Sequence, residues 1–290
     1  MKNVKALLLI LAASLVGLQV NAQDSAYDLD QTYSVEADGT IHLNSDDAEV
    51  EITGTDRSDV HLVVYRRVDV DGLKIKSEGE FRMDVENRNG NLYIRENSSE
   101  SHQVIFGNID EEYRITLEVP RTVSLSIQGD DDSYRIANVA GSIALKADDS
   151  DIELSGTGGD SFEFQIDDGS IQMEKGSGTL SLKMDDGDMY VRNASFSEVD
   201  AEMDDGEIDL TTTLADGGFY RFEMDDGDLE LNIAGGGGEF DVRHDENPPS
   251  VGGSFEEISS DEERAVFRLP GGDARIEIDA DDGDIDLRTI

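Results

Sequence analysis

Apolar and polar residues alternate with a period of two along most of the chain, and one phrase keeps interrupting the alternation. The phrase is apolar-x-apolar-x-apolar, then Asp-Asp-Gly, then an acidic or polar residue, then apolar-x-apolar. It reads Phe162-x-Phe164-x-Ile166, Asp167-Asp168-Gly169, Ile171-x-Met173 in one copy and Leu180-x-Leu182-x-Met184, Asp185-Asp186-Gly187-Asp188, Met189-x-Val191 in the next. Later copies carry Asp204-Asp205, Asp225-Asp226 and Asp281-Asp282, and an earlier one carries Asp148-Asp149-Ser150. Strict alternation predicts strands with one apolar face. Asp and Gly between them predict a sharp bend, because Asp bonds its own backbone and Gly accepts positive φ. Phe162, Phe164 and Phe222 fall on the apolar side and are expected in the core, whereas Tyr190 falls on the opposite side and faces outward.

The Asp pairs start at residues 148, 167, 185, 204 and 225, a period of 18–21 residues. A unit of two short strands and two corners cannot bury its own apolar face, so such units must stack. The expected fold is all-β: a β-solenoid with rungs of 18–21 residues. Columns such as Ile152, Ile171, Met189, Ile208 and Leu229 then lie one above another inside. The alternative is an antiparallel meander or sandwich in which every Asp-Gly closes a hairpin, since Asp-Gly is the strongest short-range hairpin signal. Self-similar units favour the solenoid, because parallel stacking brings equivalent residues into register. The last pair, at 281, follows its predecessor by 56 residues, and two degenerate turns, around Phe240-x-Val242 and Val266 to Leu269, are expected to fill the gap.

The remaining sequence divides around this array. Residues 1–22 read as a secretory signal peptide: Lys2 and Lys5 start it, Ala6 to Val16 is apolar, and Val20-Asn21-Ala22 is a small-residue cleavage site. Residues 23–65 hold N-terminal strands and a first degenerate rung, in which Asp46-Asp47-Ala48-Glu49 precedes Val50-x-Ile52. Residues 66–112 fit the repeat badly and are rich in Arg, Lys and polar residues. They are expected to form an excursion of hairpins that caps an end or edge of the array. Residues 113–290 carry the solenoid repeats, with a loop near 244–262.

Charge and composition narrow the function. With 67 acidic against 23 basic side chains the formal net charge is −44, so nucleic acid and anionic membrane surfaces are poor partners. No later segment approaches the length of a spanning helix, so no membrane insertion of the mature chain is expected. The absence of Cys excludes disulfides and thiol chemistry. The protein is therefore expected to be exported, whether periplasmic, at the cell surface or secreted, and to be stabilised by packing alone.

The recurring carboxylates admit three readings. They can be corner chemistry that also keeps the array soluble and its edges apart. They can bind cations, most naturally Ca²⁺, because successive rungs place carboxylates about 4.8 Å apart and hard cations want several oxygens. Asp168, Asp186, Asp205 and Asp226 are then the first candidate metal ligands, followed by Asp188 and Asp228. Finally, β-helical polysaccharide hydrolases or lyases use paired aspartates, but an active site is singular and these pairs recur on every rung. His42, His61, His102 and His244 lie outside any motif and are expected at the surface, with His244 in the loop. No nucleophile elbow, phosphate-binding loop or zinc spacing is present, and no catalytic residue is assigned.

The opening from Tyr33-x-Val35 to Ile52, the strand Tyr113-x-Ile115-x-Leu117-x-Val119-Pro120 and the Gly- and Asp-cornered repeats from Gly141 onward resemble the putative-adhesin β-solenoid family of exported bacterial proteins. That family has no established function. The resemblance spans nearly the whole mature chain and implies a β-solenoid without catalytic residues. Asp-Asp stands here at corners where the family often has Ser-Gly or Asn-Gly. The function expected is a non-enzymatic structural or adhesin-like module at the cell envelope, with Ca²⁺ as the cation of its corner column and an unknown surface ligand, protein or carbohydrate. The alternative is a polysaccharide hydrolase or lyase on the same scaffold.

Overall fold

The computed structural model describes residues 25–75, 81–98, 104–245 and 247–290. The expected signal segment and His102 lie outside them. In chain order the strands are β1 (Ser25–Ser34), β2 (Thr40–Asn44), β3 (Glu49–Thr55), β4 (Asp59–Ile75), β5 (Arg82–Arg88), β6 (Asn91–Asn97) and β7 (Val104–Pro120). There follow β8 (Ser124–Gln128), β9 (Ser133–Ala137), β10 (Ile143–Ser155), β11 (Ser161–Glu174), β12 (Ser177–Thr213) and β13 (Phe219–Gly235). The chain closes with β14 (Gly238–His244), β15 (Ser250–Gly252), β16 (Glu256–Ser260), β17 (Arg264–Leu269), β18 (Ala274–Ala280) and β19 (Ile285–Thr289).

Each repeat runs as strand, acidic corner, strand. In β11 Ile166 and Ile171 are both buried although five residues separate them, which pure alternation forbids, so the chain must turn between them at Asp167-Asp168-Gly169. The two arms of every rung thus point their apolar residues at one another, and the rungs pair in parallel. Asp168 stands opposite Asp149 on one side and Asp186 on the other, and Ile152, Ile171 and Met189 form one inner column. Asp205 stands opposite Asp226 in the same way, and Ile208, Leu229 and Ile285 continue the inner column. This parallel register is that of a β-solenoid and not of a row of Asp-Gly hairpins. Phe162, Phe164 and Phe222 are fully buried, each such ring contributing roughly 1.5–3 kcal/mol by leaving water.

Glycine at the acidic corner answers a steric demand as well as a conformational one. Gly187 and Gly206 have φ of 144° and 123°. A Cβ at Gly206 would lie 1.8 Å from the Gly187 carbonyl oxygen, and one at Gly187 would lie 2.1 Å from that of Gly169. The rungs therefore stack backbone on backbone at this edge. A second corner column, Asn138, Gly156, Lys175 and Asn193, closes the other side, each residue left-handed at φ between 57° and 73°. No shared residue type marks it in the sequence.

Spatial order departs from chain order at both ends. One face runs β5, β6, β2, β8, then the arms of β10 to β13 that precede the acidic corner, then β18, β14, β17 and β16. The other runs β1, β4, β7, β3, β9, the arms of β10 to β13 after the corner, β19 and β15. The rung of β2 and β3 is thus inserted between β6–β7 and β8–β9. Likewise the last rung stacks directly on β13: Asp282 N–H donates to the Asp225 carbonyl at 2.8 Å. Two stacked turns between Asp225 and Asp281 were expected. Instead, β14 and β15 form one rung outside the last one, and Val266–Leu269 belongs to β17, antiparallel to β14 and β16. β15 and β16 lie within the stretch read as a loop. At the opposite end β4 pairs antiparallel with β7 and β1, and β5 with β6.

The outward residues of the first face form three rows across β2, β8, β10, β11 and β12. Thr40, Ser124, Ser142, Ser161 and Thr179 make a hydroxyl row; His42, Ser126, Ala144, Glu163 and Ser181 the middle row; Asn44, Gln128, Lys146, Gln165 and Lys183 an amide and ammonium row. Glu163 is the sole carboxylate among them. On the next three strands along this face, acid returns with Glu198, Asp200, Glu202, Glu223, Glu277 and Asp279.

Candidate functional site

The acidic corner is positioned by the strands that run through it. Because the backbone of β10, β11, β12 and β13 pairs with its neighbour on both sides of the bend, the carboxylates there repeat at strand spacing, about 4.8 Å. Of the six expected candidates, Asp168, Asp186, Asp205 and Asp226 fall in one column, and Asp188 and Asp228 fall in the adjacent one just past the glycine. The structure extends the first column to Asp149 at one end and to the Asp281-Asp282 pair at the other. The sequence pointed to Asp149 one period earlier, but the 56-residue gap hid the direct stacking of the last pair.

Like charges in register raise the cost of ionisation. Loss of hydration on the crowded corner pushes the Asp168 carboxyl above its ordinary range, and the charges of Asp149 and Asp186 push it the same way. Asp205 is raised for the same reasons, with Asp186 and Asp226 as the charged neighbours. At the far end Asp281 is raised by desolvation and then by Asp245 and Asp225. Asp130 is pushed up to about 6, by desolvation first and by Asp46, Asp131 and Asp148 next. The column offers two carboxylates to each gap between rungs and not a closed cage. Among the described residues no group of three or more His, Asp or Glu side chains is arranged to hold a metal ion.

Where the column meets the inserted N-terminal rung the surface opens into an acidic groove of 590 Å³, lined among others by Asp47, Glu111, Glu112, Asp131, Asp149 and Asp168. Its floor is built by a buried carboxylate. Asp132, only 3% exposed, accepts hydrogen bonds from the Tyr134 hydroxyl at 2.7 Å, the Ala48 N–H at 2.7 Å and the Ser45 hydroxyl at 3.1 Å. Burial still raises its acidity constant toward protonation, against those three bonds. Gly129 leaves the space for it, since a Cβ there would lie 2.1 Å from the Tyr134 hydroxyl oxygen. The run Asp130-Asp131-Asp132 gave no sign that its last member turns inward.

The histidines divide. His42 faces outward and stacks on Tyr93 with ring centroids 4.3 Å apart, and His61 bonds Asp30 at 2.8 Å. His244 is not a loop residue: it takes the last inward position of β14, after Phe240 and Val242, and is 5% exposed. In register it lies opposite Ala280, the position that Met224 fills on β13. Tyr190 is outward, as expected, and its hydroxyl donates to Glu207 at 3.0 Å, which with desolvation pushes its own acidity up to about 12.

Among the described residues no helix is long and apolar enough to cross a membrane. No curated protein matches the sequence. Among solved structures, a putative adhesin from Bacteroides fragilis is 12% identical, with 91% of this chain and 97% of that chain covered, at a TM-score of 0.47. A putative adhesin from Parabacteroides distasonis is 10% identical over 93% of this chain and 98% of its own, at a TM-score of 0.41. A putative lipid binding protein from the same species is 11% identical over 93% of this chain and 98% of its own, at a TM-score of 0.30. The family model described as Toastrack DUF4097 matches residues 39–288, and the chain belongs to that family.

Proposed function

We propose that the protein is an exported, non-enzymatic structural and adhesive module of the cell envelope, whose acidic corner column takes up Ca²⁺. The observation that carries this reading is repetition. Rung after rung presents the same carboxylate pair to solvent at strand spacing, which suits contact with a repetitive surface or a row of cations better than a single reaction. The raised carboxyls of Asp168 and Asp205 favour the cation arm, because a divalent ion between rungs relieves the repulsion that raises them. Water completes the shell, since each gap offers carboxylates from two sides. Asp186 and Asp226 share the column, and Asp188 and Asp228 lie within reach beside it.

The reading is tested by solid-phase binding of the purified mature chain, starting at Gln23, to cell-envelope fractions. Saturable retention that weakens with chelator is expected. Retention no greater than that of an unrelated folded protein of similar negative charge refutes the adhesive role. Retention that persists unchanged in chelator refutes the Ca²⁺ arm and leaves adhesion standing.

A further inference from the structure

The adhesive reading says nothing of which surface makes contact, and the acid-poor part of the first face singles out one. In a chain of net charge −44, the outward rows of five adjacent strands hold one carboxylate, and the middle row forms a shelf. Tyr93 braces one face of the His42 ring in a parallel stack, interplanar angle 4°, and Arg88 lies over Tyr93 at 5.7 Å. Beyond His42 the row continues with Ser126 and Ala144, side chains too short to cover the ring's other face. Gln128 and Lys146 stand along one side of this shelf, exposed, and Lys146 makes no ion pair among the described residues.

We infer that this shelf binds a sugar residue of an acidic polysaccharide lying along the solenoid. A sugar ring combines an apolar C–H face with a rim of hydroxyls, and the site supplies both complements. A fixed aromatic ring provides the platform, and the amide and hydroxyl rows provide donors and acceptors. Lys146, with Lys183 two strands further along the same row, supplies positive charge for carboxylate groups. Positive charge matters here because the rest of the molecule repels polyanions. That repulsion is screened beyond about 8 Å in physiological salt, so the local sign of the face decides the contact. The inference rests on the adhesive reading and names the class of surface polymer that it engages.

Affinity electrophoresis through gels containing alginate, dextran or polyglutamate tests it with the folded mature chain. Alginate is expected to retard the protein, and dextran and polyglutamate are not. Ala144→Glu, which fills the shelf, and Lys146→Glu are each expected to weaken alginate retardation about tenfold or more. Both positions face solvent, so the melting midpoint serves to confirm the fold, and Glu230→Gln on the opposite face is expected to leave retardation unchanged. Absence of alginate retardation overturns the inference. Equal retardation by polyglutamate also overturns it, by reducing the contact to charge, and equal retardation by dextran overturns the acidic specificity. If the Ala144→Glu variant still adheres to envelope fractions as the parent does, the shelf is not the contact surface although adhesion stands. If the parent itself fails to adhere, the underlying reading falls first.

Discussion

At the corner before β9 the last carboxylate of Asp130-Asp131-Asp132 turns inward. Asp132 there gathers three hydrogen bonds and ties the inserted N-terminal rung to the body of the solenoid. Two rungs along, at Asp167-Asp168-Gly169, both carboxylates stay outside and face their own kind above and below. The same residue type therefore acts as internal support in one place and as a source of repulsion in the other. What separates the two is the following residue: Ser133 and the buried Tyr134 give Asp132 a partner, whereas Gly169 brings neighbouring backbones together and leaves Asp168 nothing but charge. A buried carboxylate is tolerated when fully bonded, and an exposed one when water, salt or a cation answers it.

The sharpest way to break the comparison is at the glycine. Gly206→Ala introduces a Cβ into the Gly187 carbonyl at a backbone of φ 123°, and a loss of about 3 kcal/mol or more in chemical denaturation is expected. Next comes Asp132→Ala, which strands the buried Tyr134 hydroxyl and the Ala48 N–H. It should cost about 2–3 kcal/mol, and Asp132→Asn distinctly less because the amide oxygen still accepts.

The smallest effect is in pH. Asp130, Asp168, Asp205 and Asp281 have folded-state values raised above their ordinary ones, so the folded chain binds protons more tightly than the unfolded chain. Their contribution to stability is fully present below the ordinary Asp value and is lost as pH rises through the folded value, about 6 for Asp130. Glu49 and Asp241 are lowered by hydrogen bonds to Arg135 and to Arg264 respectively, and they work the other way, losing stability in more acidic solution. Melting at low ionic strength is therefore expected to show a midpoint that climbs from pH 7.5 to 5 and falls again below about 4. A midpoint that declines steadily from pH 7.5 downward contradicts the repulsive column.

Much of the middle of the molecule was legible in the sequence, because equivalent residues in a parallel stack repeat as written. The inner column from Ile152 to Leu229 and the pairing of Asp168 with Asp186 follow from counting the period. The ends were not legible. Nothing local records that β2–β3 is inserted between later rungs, or that β18–β19 slips between β13 and β14, because parallel pairing is settled between distant segments. His244 was hidden by its Asp-Glu-Asn-Pro-Pro sequel, which reads as a loop, although Gly238, Phe240 and Val242 place it on the inward side. The left-handed corner at Asn138, Gly156, Lys175 and Asn193 escaped because four positions with one conformation use three residue types.

The central claim is that the corner column is a ladder of like charges awaiting a cation. Its most direct test is thermal melting at low ionic strength, with Ca²⁺ and with chelator, of the parent and of a variant combining Asp168→Asn, Asp186→Asn and Asp205→Asn. A parent midpoint that rises by several degrees with Ca²⁺, together with a variant that starts higher in chelator and barely responds to the ion, is the result expected. A parent indifferent to Ca²⁺, or a variant less stable than the parent in chelator, contradicts it.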